Sequence, residues 1–384
     1  MSWQVLFLFE AIVFFSVSEC YETFATPKPF FRPTKFNPLP LVSNPHAQTV
    51  AGALMRGTPS LPDWVRGDRR KERVETPDGG FFVVDIIAKK KRSSAGEIKI
   101  VVMLHGLESS SDSPLCQAMG SEFMKVGIDE VHCICFRGCG EPSRTAGGYH
   151  LGFTEDLTQW LGLLRSKSRL DSIRHRVYLS GFSLGANVVL KCLGEVGGAA
   201  TSHYNVCGAA VACVPFDCEL CQPKLDAVGF NRAVYSRNFL KTLVRKTEEQ
   251  YDRGLLKNIE GFQIERVMKC DTIGEFDDAV VAPIYGFTSN IDYYRKASCA
   301  SFLNSIDVPF YCVGALDDPF FDKDCYVEAS EVKSGLMHAN YTPKGGHCGF
   351  VCHLSEDGSV VGNWMPNELA RFVEFVEDSK SSSK

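Results

Sequence analysis

The pentapeptide Gly181-Phe182-Ser183-Leu184-Gly185 stands directly after an apolar run, RVYLS at 176–180, and directly before the helix-like ANVVLKCLGE. A serine turned this sharply between a strand and a helix needs glycine on both sides, because larger side chains would collide, and the turn lifts its hydroxyl above the sheet. A G-x-S-x-G string alone arises by chance and can be an ordinary tight turn. At a strand-to-helix junction it restricts the chain to alternating strands and helices with a nucleophile at a strand end.

The rest of the chain supplies that alternation. Residues 98–104 (IKIVVML) form a continuous apolar run ending in His105-Gly106, and similar runs occupy 131–136, 208–214 and 309–313. Such runs suit strands buried on both faces of a parallel sheet. A helical stretch is read over 155–164, between the second run and RVYLS. Residues 73–88 (RVETPDGGFFVVDIIA) predict a hairpin around Pro77-Asp78-Gly79-Gly80. The charge run KKKR at 89–92 is expected as a solvated turn. Between the last two strands nearly a hundred residues do not read as sheet. Helices are expected over 238–251 and 252–264, and the stretch 217–294 is read as a lid over the carboxyl ends of the strands, with a plain structural excursion as the alternative.

Serine is a poor nucleophile near neutral pH and needs a base within hydrogen-bond reach and a third group to orient that base. On a serine elbow the expected chain order is Ser, acid, His. Asp317-Asp318-Pro319 follows the strand at 308–313, and His347 sits among small residues in Gly345-Gly346-His347-Cys348-Gly349. Of the two carboxylates Asp318 is favoured, because the proline ring restricts the residue before it; Asp317 is expected to be solvated or to cap the next helix. The oxyanion would be held by the backbone N–H groups of Leu184, after the nucleophile, and of Leu107, in the turn after the strand at 98–104. His105 is read as bracing that turn. Serine, histidine and backbone amides fill every role, so no metal or organic cofactor is implied.

Composition excludes some classes. The 384 residues carry 41 basic and 46 acidic side chains, a formal charge of -5, so no cationic field collects phosphate backbones and nucleic acid is not an expected partner. Of the sixteen cysteines, Cys133, Cys135, Cys139, Cys207 and Cys213 lie in or beside apolar runs, where reduced structural thiols are expected rather than disulfides. Cys218 and Cys221 form an isolated C-x-x-C, a weak zinc pattern. Residues 1–43 hold an apolar stretch at 5–17, shorter than a bilayer span and interrupted by Glu10, and then a Pro-rich arm. That stretch is read as a signal peptide, a buried helix or, preferably, a membrane-associating segment; otherwise a cytoplasmic protein is expected. Residues 44–378 form the domain and 379–384 a disordered tail.

A wider set of motifs resembles one family. Asn44-Pro45-His46-Ala47-Gln48-Thr49, HGLE at 105–108, Arg137-Gly138-Cys139-Gly140, Tyr149-His150 and TEDL at 154–157 come first. GFSLGAN at 181–187, EFD at 275–277, DYYR at 292–295, DDPF at 317–320 and GGHCGF at 345–350 follow in the same order. Together they are similar to the YheT-like and ABHD-type hydrolases. The resemblance implies an α/β-hydrolase fold with a mostly parallel sheet, flanking helices and a helical lid, acting on acyl esters of lipids of the mono- or diacylglycerol or phospholipid type. It also implies that the Asp before Pro, Asp318 here, is the acid, and, in many eukaryotic members, a membrane-anchored N-terminus. One departure is the loop after His105-Gly106, which usually carries further glycines and here reads Leu107-Glu108-Ser109-Ser110-Ser111. The reading from another class is a catalytically silent member that binds a lipid or a partner.

Overall fold

The computed structural model describes residues 30–54, 68–90, 96–355, 358 and 360–381. The chain divides into a unit ending at Arg32 and a unit from Pro33 to Lys384, and everything below concerns the second. The apolar stretch at 5–17, and with it the membrane-associating reading, lies outside the described residues. Among the described residues no helix is long and apolar enough to cross a membrane.

Eight strands form one sheet: β1 (Arg69–Glu75), β2 (Phe81–Ala88), β3 (Glu97–Leu104), β4 (Glu130–Cys135), β5 (Arg174–Phe182), β6 (Val206–Ala212), β7 (Phe310–Ala315) and β8 (Met337–Thr342). Their order is β1-β2-β4-β3-β5-β6-β7-β8. The hairpin β1–β2 pairs antiparallel with itself and with β4, and every pair from β4 to β8 is parallel. The sheet is thus mostly parallel, an α/β fold as read from the apolar runs. A short hairpin, β9 (Val351–His353) with β10 (Val361–Asn363), lies apart from it.

Helices α1 (Pro45–Leu54), α2 (Pro114–Lys125), α3 (Glu155–Leu170) and α4 (Leu184–Val196) precede the insertion; α5 (Cys218–Leu225), α6 (Arg237–Asp252) and α7 (Asn290–Ala297) lie within it; α8 (Trp364–Ser381) closes the chain. One face of the sheet, with Ile100, Val102, Leu104, Val177 and Leu179, packs with Trp160 and Leu161 of α3 and Val188 and Leu190 of α4. On α8, the Phe372 ring stacks on Tyr311 of β7 at 5.3 Å. A sheet covered on both faces needs apolar residues at successive strand positions, which is why the runs do not alternate.

Three expectations require correction. The helix expected over 252–264 does not form: α6 ends at Asp252, and turns follow in which Gly254 and Gly261 take φ of 75° and 78°, a left-handed backbone that breaks a helix. Residues 379–381, expected in a disordered tail, continue α8, where the Ser379 hydroxyl donates to the Phe375 carbonyl. The sixth strand ends at Ala212 rather than 214, because Cys213 takes φ 51°.

Chain order reverses between β3 and β5, since β3 is followed by β4 on one side and the chain then crosses to β5 on the other. Crevices outside the carboxyl ends of such strands are where α/β sheets bind ligands. Both Gly106-Leu107, after β3, and Ser183, after β5, stand at this point.

Candidate active site

Ser183 sits between β5 and α4 with φ 55° and ψ -126°, a conformation that costs a non-glycine residue about 1–3 kcal/mol. The surrounding packing enforces it. A Cβ on Gly185 would lie 2.5 Å from the carbonyl oxygens of Leu104 and His105, and one on Gly181 would lie 2.8 Å from the Gly185 backbone. The glycines therefore let the elbow press against β3. Asn187, fully buried on α4, donates to the carbonyls of Leu151 and Ala297 and accepts from the Cys299 N–H, which ties the helix to two loops.

The Ser183 hydroxyl lies 2.9 Å from Nε2 of His347, and Nδ1 of His347 lies 2.8 Å from Oδ2 of Asp318. Asp318 is 1% exposed and His347 8%. The other carboxylate oxygen of Asp318 accepts from the Phe320 N–H at 2.7 Å. The His347 ring is stacked by Phe320 at 4.1 Å and met edge-on by Phe321 at 5.0 Å. Burial alone would lower the imidazole pKa; the Asp318 carboxylate, with Cys348, outweighs it and raises it. A chain of this kind can move a proton from Ser183 to His347 while Asp318 holds the tautomer.

Asp317 is neither solvated nor a helix cap. Its Oδ1 accepts from the Gly346 N–H at 2.9 Å, so the adjacent carboxylates divide the work: Asp318 meets the ring and Asp317 the backbone beside it. The other side of that loop rests on α1. The Thr49 hydroxyl accepts from the His347 N–H at 2.9 Å, and the Gln48 amide both accepts from the Val351 N–H and donates to its carbonyl. A Cβ on Gly346 would lie 2.4 Å from the Pro45 carbonyl and one on Gly349 2.4 Å from that of Gln48. Pattern reading missed Thr49 and Gln48 as supports of the histidine; the signal was their place in the NPHAQT motif, with no local periodicity to explain it.

Leu184 is the first residue of α4, so its N–H has no intrahelical partner and stands at the positive end of the helix dipole. Leu107 lines the same cavity as Ser183. His105 braces the turn between them: Nδ1 donates to the Gly106 carbonyl at 2.8 Å and Nε2 accepts from the Phe136 N–H at 3.2 Å. Burial lowers its pKa to about 4, so the ring is neutral. The departing residue Glu108 takes φ 54°, accepts from the Tyr149 hydroxyl at 2.9 Å and from Lys246 of α6 at 2.9 Å. A left-handed glutamate clamped from two sides stands in the loop that is glycine-rich in the resembled family.

The cavity measures about 660 Å³ and runs from Val50 and Ala53 of α1, past Ser183 and His347, to Phe239, Phe276 and Tyr293 in the insertion. Its lining is apolar with few polar groups. One of them is Asp277, 8% exposed, which accepts from the Tyr294 hydroxyl at 2.6 Å and whose pKa burial raises to about 7.

Comparison with known proteins adds the lineage. "Putative esterase YheT" of Escherichia coli (strain K12) is 32% identical over 328 residues, covering 84% of this chain and 88% of that protein. The chain belongs to the YheT-like family. With membership comes the reaction class: it is a serine-type ester hydrolase on the α/β-hydrolase fold. More distant relatives of this YheT-like chain include the monoacylglycerol lipase of Saccharomyces cerevisiae, 26% identical over 73% of this chain and 60% of that one. Phospholipase ABHD3 of Mus musculus is 25% identical over 73% of this chain and 66% of its own length. A scan against protein-family models found no match.

Proposed function

We propose that this YheT-like chain hydrolyses acyl esters of lipids through an acyl-serine intermediate. His347 takes the Ser183 proton, Ser183 attacks the ester carbonyl, and the N–H groups of Leu184 and Leu107 hold the oxyanion. His347 then protonates the leaving alcohol, and water, deprotonated by the same ring, releases the fatty acid. Residues 217–294 act as a lid whose inner face contacts the acyl chain. The observation that carries this reading is the Ser183–His347–Asp318 hydrogen-bond chain opening into an apolar cavity of about 660 Å³, within the ~300–1,000 Å³ of small-molecule sites. Relatives named monoacylglycerol lipase and phospholipase support a lipid ester over a small polar one.

The test is a panel of nitrophenyl esters, monoacylglycerols and phospholipids, run in parallel with wild type and Ser183→Ala. Serine-dependent turnover that rises with acyl length is the expected result. Turnover confined to the shortest esters would remove the lipid assignment and leave the esterase.

A further inference from the structure

The His347 ring has two thiol neighbours that the proposed mechanism does not use. Cys213 is the residue after β6 and Cys348 follows His347 in the chain; they take φ of 51° and 57°, and the Cys348 N–H donates to Cys213 Sγ at 3.2 Å. The two Sγ atoms and a ring nitrogen of His347 all lie within 4.8 Å of one another. Among the described residues this is the one such grouping of three His, Cys, Asp or Glu side chains. Cys213 is fully buried, whereas Cys348 is half-buried and lines the cavity, which gives an ion a way in.

We propose that Cys213, Cys348 and His347 form an inhibitory site for a soft divalent metal ion, of which zinc is the ordinary case. Two sulfurs and an imidazole select zinc or cadmium over magnesium or calcium, which take oxygen. Zinc bonds of about 2.3 Å to sulfur in a tetrahedron set the sulfurs about 3.8 Å apart, so the widest permitted separation closes by about 1 Å. Side-chain rotation supplies that. Binding releases the two thiol protons to solvent and leaves the bis-thiolate zinc unit neutral; the fourth position faces the cavity for water. Inhibition follows from the ring. Nδ1 is held by Asp318 and Nε2 by Ser183, so the ion takes a nitrogen from one of them, and the lone pair at Nε2 is the one Ser183 needs. This last step rests on the proposed role of His347; the metal site itself does not.

The experiment uses the full chain, reduced and freed of metal with a chelator. Cadmium titration of wild type, Cys348→Ser and Cys213→Ala follows thiolate-to-cadmium charge-transfer absorption in the ultraviolet; zinc titration follows loss of fluorophosphonate labelling at Ser183. One cadmium per chain is expected in wild type, with the band reduced in both variants. Zinc is expected to block labelling reversibly, with a midpoint shifted beyond the roughly 10–100-fold that loss of a mere outer-shell partner costs. Equal zinc sensitivity in wild type and variants, a cadmium band untouched by either substitution, or normal labelling of zinc-saturated wild type would each overturn the proposal. Metal-free wild type that does not label would instead count against the role of Ser183, while the cadmium band would still decide the site.

Discussion

The carboxyl edge of the sheet and the helical insertion between β6 and β7 both face the cavity, but they are held by different means. At the sheet edge, position is fixed by backbone: a left-handed Ser183, glycines that permit contacts as close as 2.4 Å to a hypothetical Cβ, and buried amide bonds from Asp317 and Thr49. The insertion has its own apolar cluster, with Val267, Phe276, Val280 and Tyr294, separate from the main core. It reaches the site loops through side chains: Lys246 to Glu108, Asn231 to the Pro319 carbonyl, and Lys224 to that of Phe321. The lesson is a division of means, backbone at the sheet edge and side chains in the insertion; on the proposed function the first would set the chemistry and the second would adjust what enters.

That contrast breaks first if Ser183→Ala keeps activity. On the proposed mechanism turnover should fall by about 10⁴- to 10⁶-fold, because the residues act as a unit, while the melting temperature stays level. A folded variant with wild-type turnover would transfer the chemistry elsewhere. Asp318→Asn comes next, with a loss of about 10⁴-fold from a mis-set tautomer. It also tests the electrostatics. The base works only when neutral, and its pKa is raised, so kcat/KM of wild type should rise with pH through a midpoint above the ~6.5 of free imidazole. In Asp318→Asn the residual rate should titrate at lower pH; an unmoved midpoint would mean that Asp318 does not set it.

A third test compares two glycines. Gly346 has φ 60° and its Cβ would lie 2.4 Å from the Pro45 carbonyl; Gly127 has φ 92° with nothing within 4 Å. Gly127→Ala should cost only the left-handed penalty of about 1–2 kcal/mol. Gly346→Ala adds overpacking, for about 2–5 kcal/mol in all, and should lower turnover by displacing His347. Equal losses in denaturant midpoint would show that α1 does not clamp the histidine loop.

The same division explains what the sequence disclosed. The meeting of Ser183, Asp318 and His347 was legible because each lies at a strand end or among small residues in the chain order expected of a serine elbow, and β3, β5 and β6 were legible because both their faces are buried. β8 was not, since an edge strand reading MHANYT is half-buried and mixed in character. The tasks of Asp317, Thr49 and Gln48 depend on which loop folds against which helix. Asp317 was expected in solvent or as a helix cap for that reason. In the insertion the helix α6 was visible from Leu240, Leu243 and Val244 and its end was read to within a residue, but a second helix was expected directly after it, because Gly254 and Gly261 sit inside an otherwise plausible pattern.

The smallest effect expected from the comparison lies at its seam. Lys246, on α6, is the insertion's ionic contact with the loop that carries Leu107, through a Glu108 side chain only 5% exposed. Lys246→Met should destabilise the fold by about 1 kcal/mol, since the lysine is itself partly exposed. Its larger signature should be kinetic: on the proposed mechanism a loosened Leu107 N–H would weaken oxyanion binding, so kcat should fall by about three- to tenfold, well short of the ~10²–10³ for outright loss of a donor, with KM little changed. Glu108→Gln in the same chain removes the stranded carboxylate and should restore part of the stability. If Lys246→Met raised KM for long acyl chains and left kcat intact, the ion pair would belong to the cavity wall rather than to the oxyanion loop, and the insertion would act on binding alone.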